Sequence, residues 1–313
     1  MSELRQPTGT AFALRDPLPW DDLAAIVRAA EASGYGVLFL PEIAGRDALV
    51  TLGALAGETR DLLLGTGIVP MRSRTLLLLA MAAAAVHERS HGRLLLGLGT
   101  GGVGRGALDE LLETVLGLRA LLSGEGVERP EGSLRLSLDP GSRVPLWISA
   151  LGPRAMRLAG EIADGVLLNW CPPERVTFAR DRVAEGAASS GRDPADVVVA
   201  VYVRSWVGED EAAAMPALKA AAGQYASYTA YARQLEESGL GEPARAAAEA
   251  HRSGRPDDVP ESLVRAVCAV GDAAPERLAA FRGAGADLAV VYPVSVGEMA
   301  PSIERTLLEL APA

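Results

Sequence analysis

The chain has 313 residues, 49% of them hydrophobic and only 4% aromatic, with a formal net charge of −10. This length allows two domains or one large α/β barrel, the interior must be mostly Leu, Ala and Val, and the acidic balance excludes the basic footprint of non-specific nucleic-acid binding. Cys171 and Cys268 are too far apart for a disulfide framework or a zinc-ligand spacing; MSELRQPTGT has no apolar signal core, and the longest uncharged apolar stretch, Leu76–Val86, is far shorter than a membrane helix, so a cytoplasmic protein is expected.

Short apolar runs alternate with helical segments, the pattern of repeated βα units. The first strand is expected over Gly9–Leu14. A helix over Trp20–Ser33 follows, with Asp21 and Asp22 in the first turn, where negative charge suits the helix dipole, and Gly34 as its stop. Strands are expected next over Gly36–Leu40 and Leu62–Ile68. The helix Arg74–Arg89 carries LLLLAMAAAAV, which is apolar on every side and must therefore be covered on every side. A second copy of the chain is the expected cover, giving a homodimer; the chain's own residues 207–286 are the other candidate.

The fourth strand is expected over Arg93–Leu98. Residues 124–144 then break the rhythm with turn formers and a small hairpin. Strands resume over Val144–Ser149, Gly165–Asn169 and Val197–Val203. Residues 207–286 form a longer interruption, with helices over Glu209–Gly223 and Pro260–Val270, before the last strand, Asp287–Tyr292. Eight such units make a TIM (β/α)8 barrel spanning 1–313 as one domain. Its insertions after strands 4 and 7 shape access to a site at the C-terminal ends of the strands.

Two of the runs, LLLGTGIVP at Leu62–Pro70 and LLLGLGTGG at Leu94–Gly102, end in Gly-Thr-Gly. Uninterrupted apolar strands belong to a parallel sheet covered on both faces, and glycine at a strand end lets another group approach the backbone. A flat ligand meeting both strand ends is the functional reading, and tight strand-to-helix turns are the plainer one.

SGYGVLFLPE at 33–42, LGTGIVP at 64–70, HGRLLLGLGTG at 91–101, VPLWISALGPRAMRLAGEIADGVLLN at 144–169 and GAGADLAVVYP at 283–293 fall in the order seen in one family. The chain resembles the bacterial luciferase-like superfamily over nearly its whole length. That resemblance implies a ring cofactor across the barrel mouth, either coenzyme F420, a deazaflavin used for hydride transfer, or FMN. The favoured reading is an F420-dependent oxidoreductase acting on a small organic substrate. The FMN alternative is a monooxygenase needing oxygen and a flavin reductase, and a third is a catalytically silent or cofactor-free barrel.

By the same resemblance Thr66, Gly67 and Ile68 end the third strand in a bulge with a non-prolyl cis peptide at Gly67-Ile68, and Ile68 presses on the ring. Gly99, Thr100 and Gly101 edge the ring. Ser149, Ala150, Leu151, Gly152, Pro153 and Arg154 follow the fifth strand, with Pro153 suited to a first helical turn whose free N–H groups attract an anion. Arg72, Arg74, Arg105 and Arg154 would cradle the acidic F420 tail. Relatives commonly carry Asp-His after the second strand, where this chain has Glu42 and Ile43, so Glu42 is the candidate general acid or base. His87, His91 and His251 are not expected at the site. Asn169 is expected on the cofactor, and Trp170, Cys171, Tyr202 and Arg204 on the substrate.

Overall fold

The computed structural model describes residues 10–15, 17–101, 104, 106–130 and 132–312. Eight parallel strands close on themselves: β1 (Thr10–Ala13), β2 (Tyr35–Leu40), β3 (Leu63–Thr66), β4 (Leu94–Gly99), β5 (Leu146–Ser149), β6 (Gly165–Asn169), β7 (Val198–Trp206) and β8 (Leu288–Pro293). Each pairs with its successor, and β8 pairs with both β7 and β1, which completes the ring. The barrel interior is packed with side chains. Phe39, Trp147, Tyr202 and Tyr292 interlock there in a chain of ring contacts, with centroids 5.5 to 6.0 Å apart.

The surrounding helices are α1 (Trp20–Ala32), α2 (Ala48–Leu55), α3 (Leu76–Arg89), α4 (Ala107–Leu122), α5 (Pro153–Ile162), α6 (Pro173–Ser189), α7 (Met215–Ala226), α8 (Thr229–Glu237), α9 (Gly241–Arg252), α10 (Glu261–Val267), α11 (Ala274–Gly283) and α12 (Met299–Glu309). A second apolar layer lies between strands and helices. None of the described helices is long and apolar enough to cross a membrane.

Most expected elements form within a residue or two, and the 124–144 segment carries its hairpin, Val127–Arg129 against Gly132–Leu134. The expected helix Glu209–Gly223 instead runs from Met215 to Ala226, and the expected helix Pro260–Val270 is a second exception. It stops at Val267, and Cys268–Val270 pair as a strand with Arg204–Trp206, because β7 runs three residues beyond the expected Val203 and offers an open edge. The helix expected from Arg74 begins at Leu76, capped by the Thr75 side chain, which accepts a bond from the Leu78 N–H. On that helix Leu78 and Met81 remain about half exposed, so residues 207–286 do not cover it. They instead build α7 to α9 over the barrel mouth, around a second core that takes in Trp170 and Trp206.

Candidate active site

The third strand is broken where the sequence reads Thr66-Gly67-Ile68. Leu64 and Gly65 register with Leu94 and Leu95, but Val69 registers with Leu98, one residue earlier than a regular ladder gives. The extra residue steps out as a bulge, and the Gly67–Ile68 peptide is cis. Backbone bonds tie the bulge to the end of the second strand: the Gly67 N–H donates to the Leu40 carbonyl at 2.8 Å and the Glu42 N–H to the Ile68 carbonyl at 3.2 Å. Thr66 repairs the ladder, its hydroxyl accepting from the Gly97 N–H and donating to the Gly97 carbonyl, both at 2.8 Å.

Thr66 is therefore fully buried beneath the bulge and does not reach the cleft, contrary to expectation. Gly99 is corrected in the same way. A methyl group there would lie 2.6 Å from Ile68 Cδ1 and 2.7 Å from Ser149 Oγ, so Gly99 makes room for Ile68 to seat rather than edging a ligand.

Above the bulge opens a cleft of about 660 Å³ at the C-terminal mouth of the barrel. Gly67 and Ile68 form its floor, and Thr100, Gly101, Ser149 and Leu151 one wall. Asn169, Tyr202, Arg204 and Tyr292 stand opposite, and Tyr225, Tyr228 and Tyr231 from the α7–α8 region close over it. Ala150 is buried behind the wall. Gly152 and Pro153 open α5, whose N-cap has no side-chain partner, and the exposed Arg154 lies in that first turn; these three do not line the cleft.

Among the described residues the arginine cradle does not form. Arg72 pairs with Glu110, Arg74 pairs with Glu42 and Asp47, Arg154 is exposed and does not line the cleft, and Arg105 lies outside the described residues. Glu42 does line the cleft, but its carboxylate is engaged: Oε1 accepts from Arg74 at 2.6 Å, and Oε2 accepts from Arg74 at 2.8 Å and from the Ala48 N–H at 3.1 Å. A carboxylate held so is an anchor between the second and third units rather than a free base. Its hydrogen bonds hold the Arg74 guanidinium above its ordinary pKa.

Cys171 is buried in the main core, its thiol pushed up to about 12 by desolvation, and does not line the substrate space as expected. His87 is buried beside Ser142, and His251 is exposed on α9. No histidine lines the cleft among the described residues.

Phenols are prominent among the hydroxyl-bearing residues that line the cleft. Burial raises the pKa of Tyr202 and Tyr292 and pushes Tyr231 up to about 12, so all three are neutral donors at physiological pH. Asn169 and Arg204 meet directly, Arg204 donating to Asn169 Oδ1 at 2.6 Å, while Asn169 Nδ2 donates to the Tyr231 hydroxyl at 3.0 Å. Trp170 lines a second lobe of about 430 Å³, which shares Arg204, Tyr225 and Tyr292 with the main cleft.

Sequence reasoning missed the tyrosine lid. Its signal was available: YASYTAY at 225–231 holds three of the chain's six tyrosines within seven residues.

The family profile described as luciferase-like monooxygenase matches residues 5–288. A 5,10-methylenetetrahydromethanopterin reductase from Methanolobus tindarius is 32% identical over 224 residues, 67% of this chain and 68% of that protein. The solved coenzyme F420-dependent tetrahydromethanopterin reductase from Methanopyrus kandleri superposes with a TM-score of 0.80 at 21% identity, covering 98% of each chain. An F420-dependent secondary alcohol dehydrogenase, solved with an F420-acetone adduct, gives 0.77 at 17% identity over 97% of this chain and 99% of that one.

Proposed function

Because this chain belongs to the luciferase-like monooxygenase family, and its sequence relatives include a putative coenzyme F420-dependent oxidoreductase and an F420-dependent hydroxymycolic acid dehydrogenase, both from Mycobacterium tuberculosis, we propose that it is an F420-dependent oxidoreductase transferring a hydride to or from a small organic substrate. The observation that carries this reading is the form of the cleft: an apolar floor at Ile68, a wall of small and hydroxyl-bearing residues at Thr100, Gly101 and Ser149, and a closing layer of tyrosines. Its volume lies in the range of roughly 300–1,000 Å³ usual for ligand sites. A flat heterocycle fits such a floor and wall, whereas no group of metal-ligating side chains occurs among the described residues.

When bound, the deazaflavin supplies a two-electron hydride donor or acceptor. The chain's part is binding, orientation and exclusion of water. Ile68 would support one face of the ring, Thr100 and Ser149 would lie along its edge, and the uncapped first turn of α5, which follows directly on the cleft wall, would receive an anionic part of the cofactor extending beyond it. Tyr225, Tyr228 and Tyr231 keep bulk water from the reacting face. Proton delivery falls to neutral phenols, Tyr231 or Tyr292, since Glu42 is committed to Arg74.

Titration with F420 and with FMN, followed by cofactor fluorescence, tests the reading. The expected result is micromolar affinity for F420 and at least tenfold weaker binding of FMN. Tighter binding of FMN would replace it with the FMN-dependent oxygenation, and binding of neither would favour a silent barrel.

A further inference from the structure

Among the described residues Arg204 is a buried cation without a counter-ion. Its residue is 6% exposed, and no carboxylate lies within ion-pairing distance of it among the described residues. Its guanidinium carbon instead lies 4.0 Å from the ring centre of Tyr292, 4.7 Å from that of Trp170 and 5.6 Å from that of Tyr225. One N–H is taken by Asn169 Oδ1 at 2.6 Å. Arginine carries five N–H donors, and the residue borders both lobes of the mouth, so its remaining donors have space in front of them. Aromatic faces and one amide oxygen offset the desolvation of a cation only in part.

The surroundings are built to hold this group in place. Trp170 has φ of 51°, a conformation that a bulky residue adopts only when its neighbours impose it. Gln234 imposes it, its Nε2 donating to the carbonyls of Asn169 at 2.9 Å and Trp170 at 3.0 Å. Trp170 then stacks on Tyr225 with centroids 5.0 Å apart. Four elements, β6, β8, α7 and α8, thus converge to fix an aromatic box around one charge.

We propose that Arg204 is the specificity-determining residue for the substrate, and that the substrate carries a carboxylate that pairs with the guanidinium. The proposal rests on the oxidoreductase reading for the word substrate, but the anion site stands on its own geometry. In this low-dielectric setting a charge-assisted, two-point bond to a carboxylate is stronger than a neutral one, and a neutral isostere leaves the cation unpaired. Sites built this way reject analogues that lack the matching group.

The test compares benzoate with benzamide as probes on the full chain, with and without F420 loaded, by calorimetry and by the fluorescence of the tryptophans. The wild type is expected to bind benzoate at least tenfold more tightly than benzamide. Arg204→Met is expected to abolish that preference while leaving F420 affinity within twofold, and Arg204→Lys to restore part of it. Equal affinity of the wild type for the two probes would overturn the proposal without recourse to any variant. So would loss of F420 affinity in Arg204→Met or Arg204→Lys, since the cation would then serve the cofactor. Benzoate preference in a chain that binds no F420 would keep the anion site and reject the oxidoreductase reading instead.

Discussion

At the scale of single residues, the floor of the cleft depends on the absence of side chains. A methyl group at Gly67 would overlap the Tyr202 hydroxyl, which donates to the Gly67 carbonyl at 3.3 Å. Gly67→Ala is therefore expected to destabilise the protein by roughly 1–3 kcal/mol through overpacking and to weaken F420 binding. Adding Tyr202→Phe removes the overlapping oxygen and should recover part of both losses. Denaturation midpoints and cofactor titrations of the two single variants and the double variant check this, and strictly additive losses would contradict it. What the sequence disclosed at this scale was the presence of special backbone, not the job of each residue. Gly-Thr-Gly marked both strand ends, yet Thr66 repairs a ladder and Gly99 makes room for Ile68, because a strand end alone does not say which neighbour approaches it. The pairing of Glu42 with Arg74 joins residues 32 apart in sequence, and that of Asn169 with Arg204 residues 35 apart; no local pattern announces such contacts.

At the scale of elements, the strands were legible because a parallel barrel strand is apolar throughout and ends at glycine or a polar turn. The insertion was less legible. Its helices α8 and α9 are rich in Ala, Arg and Glu, and their narrow apolar faces pack on one another and on α7 rather than on the barrel strands. Cys268–Val270 were misread because a three-residue strand following directly on a helix is set by the open edge of β7, not by its own pattern. The same scale governs how α5 is held beside the cleft wall. Gly160 on α5 and Gly186 on α6 let these helices touch at their backbones: a methyl at Gly160 would overlap the Val183 carbonyl, and one at Gly186 the Arg157 carbonyl. Backbone cannot swing aside as a side-chain tip can. Gly160→Ala is expected to cost roughly 1–3 kcal/mol and to lower cofactor affinity by shifting the first turn of α5. Thermal denaturation beside F420 titration measures both, and an unchanged melting temperature would contradict the tight crossing.

At the scale of the molecule, one apolar surface lacks a partner. Val50 on α2, Leu78 and Met81 on α3, and Leu116 on α4 are each between 51% and 72% exposed on adjacent helices. A grouping of this kind marks an association surface, and its cover is expected to be a second copy of the chain. Sedimentation at micromolar concentration should give a dimer, and Leu78→Glu combined with Met81→Glu should give a monomer; a monomeric wild type would count against this. The mouth of the barrel lies at the strand ends, and the central claim about it is that Ile68 carries a flat deazaflavin ring while Arg204 faces the substrate. A crystal structure of the F420 complex tests this most directly. The account predicts the ring in van der Waals contact with Ile68, at about 3.5–4 Å, with the Arg204 donors directed to the space beside it. A ring seated in the neighbouring lobe against Ala217, Ala221 and Met299, or an F420 phosphate bound to Arg204, would contradict it.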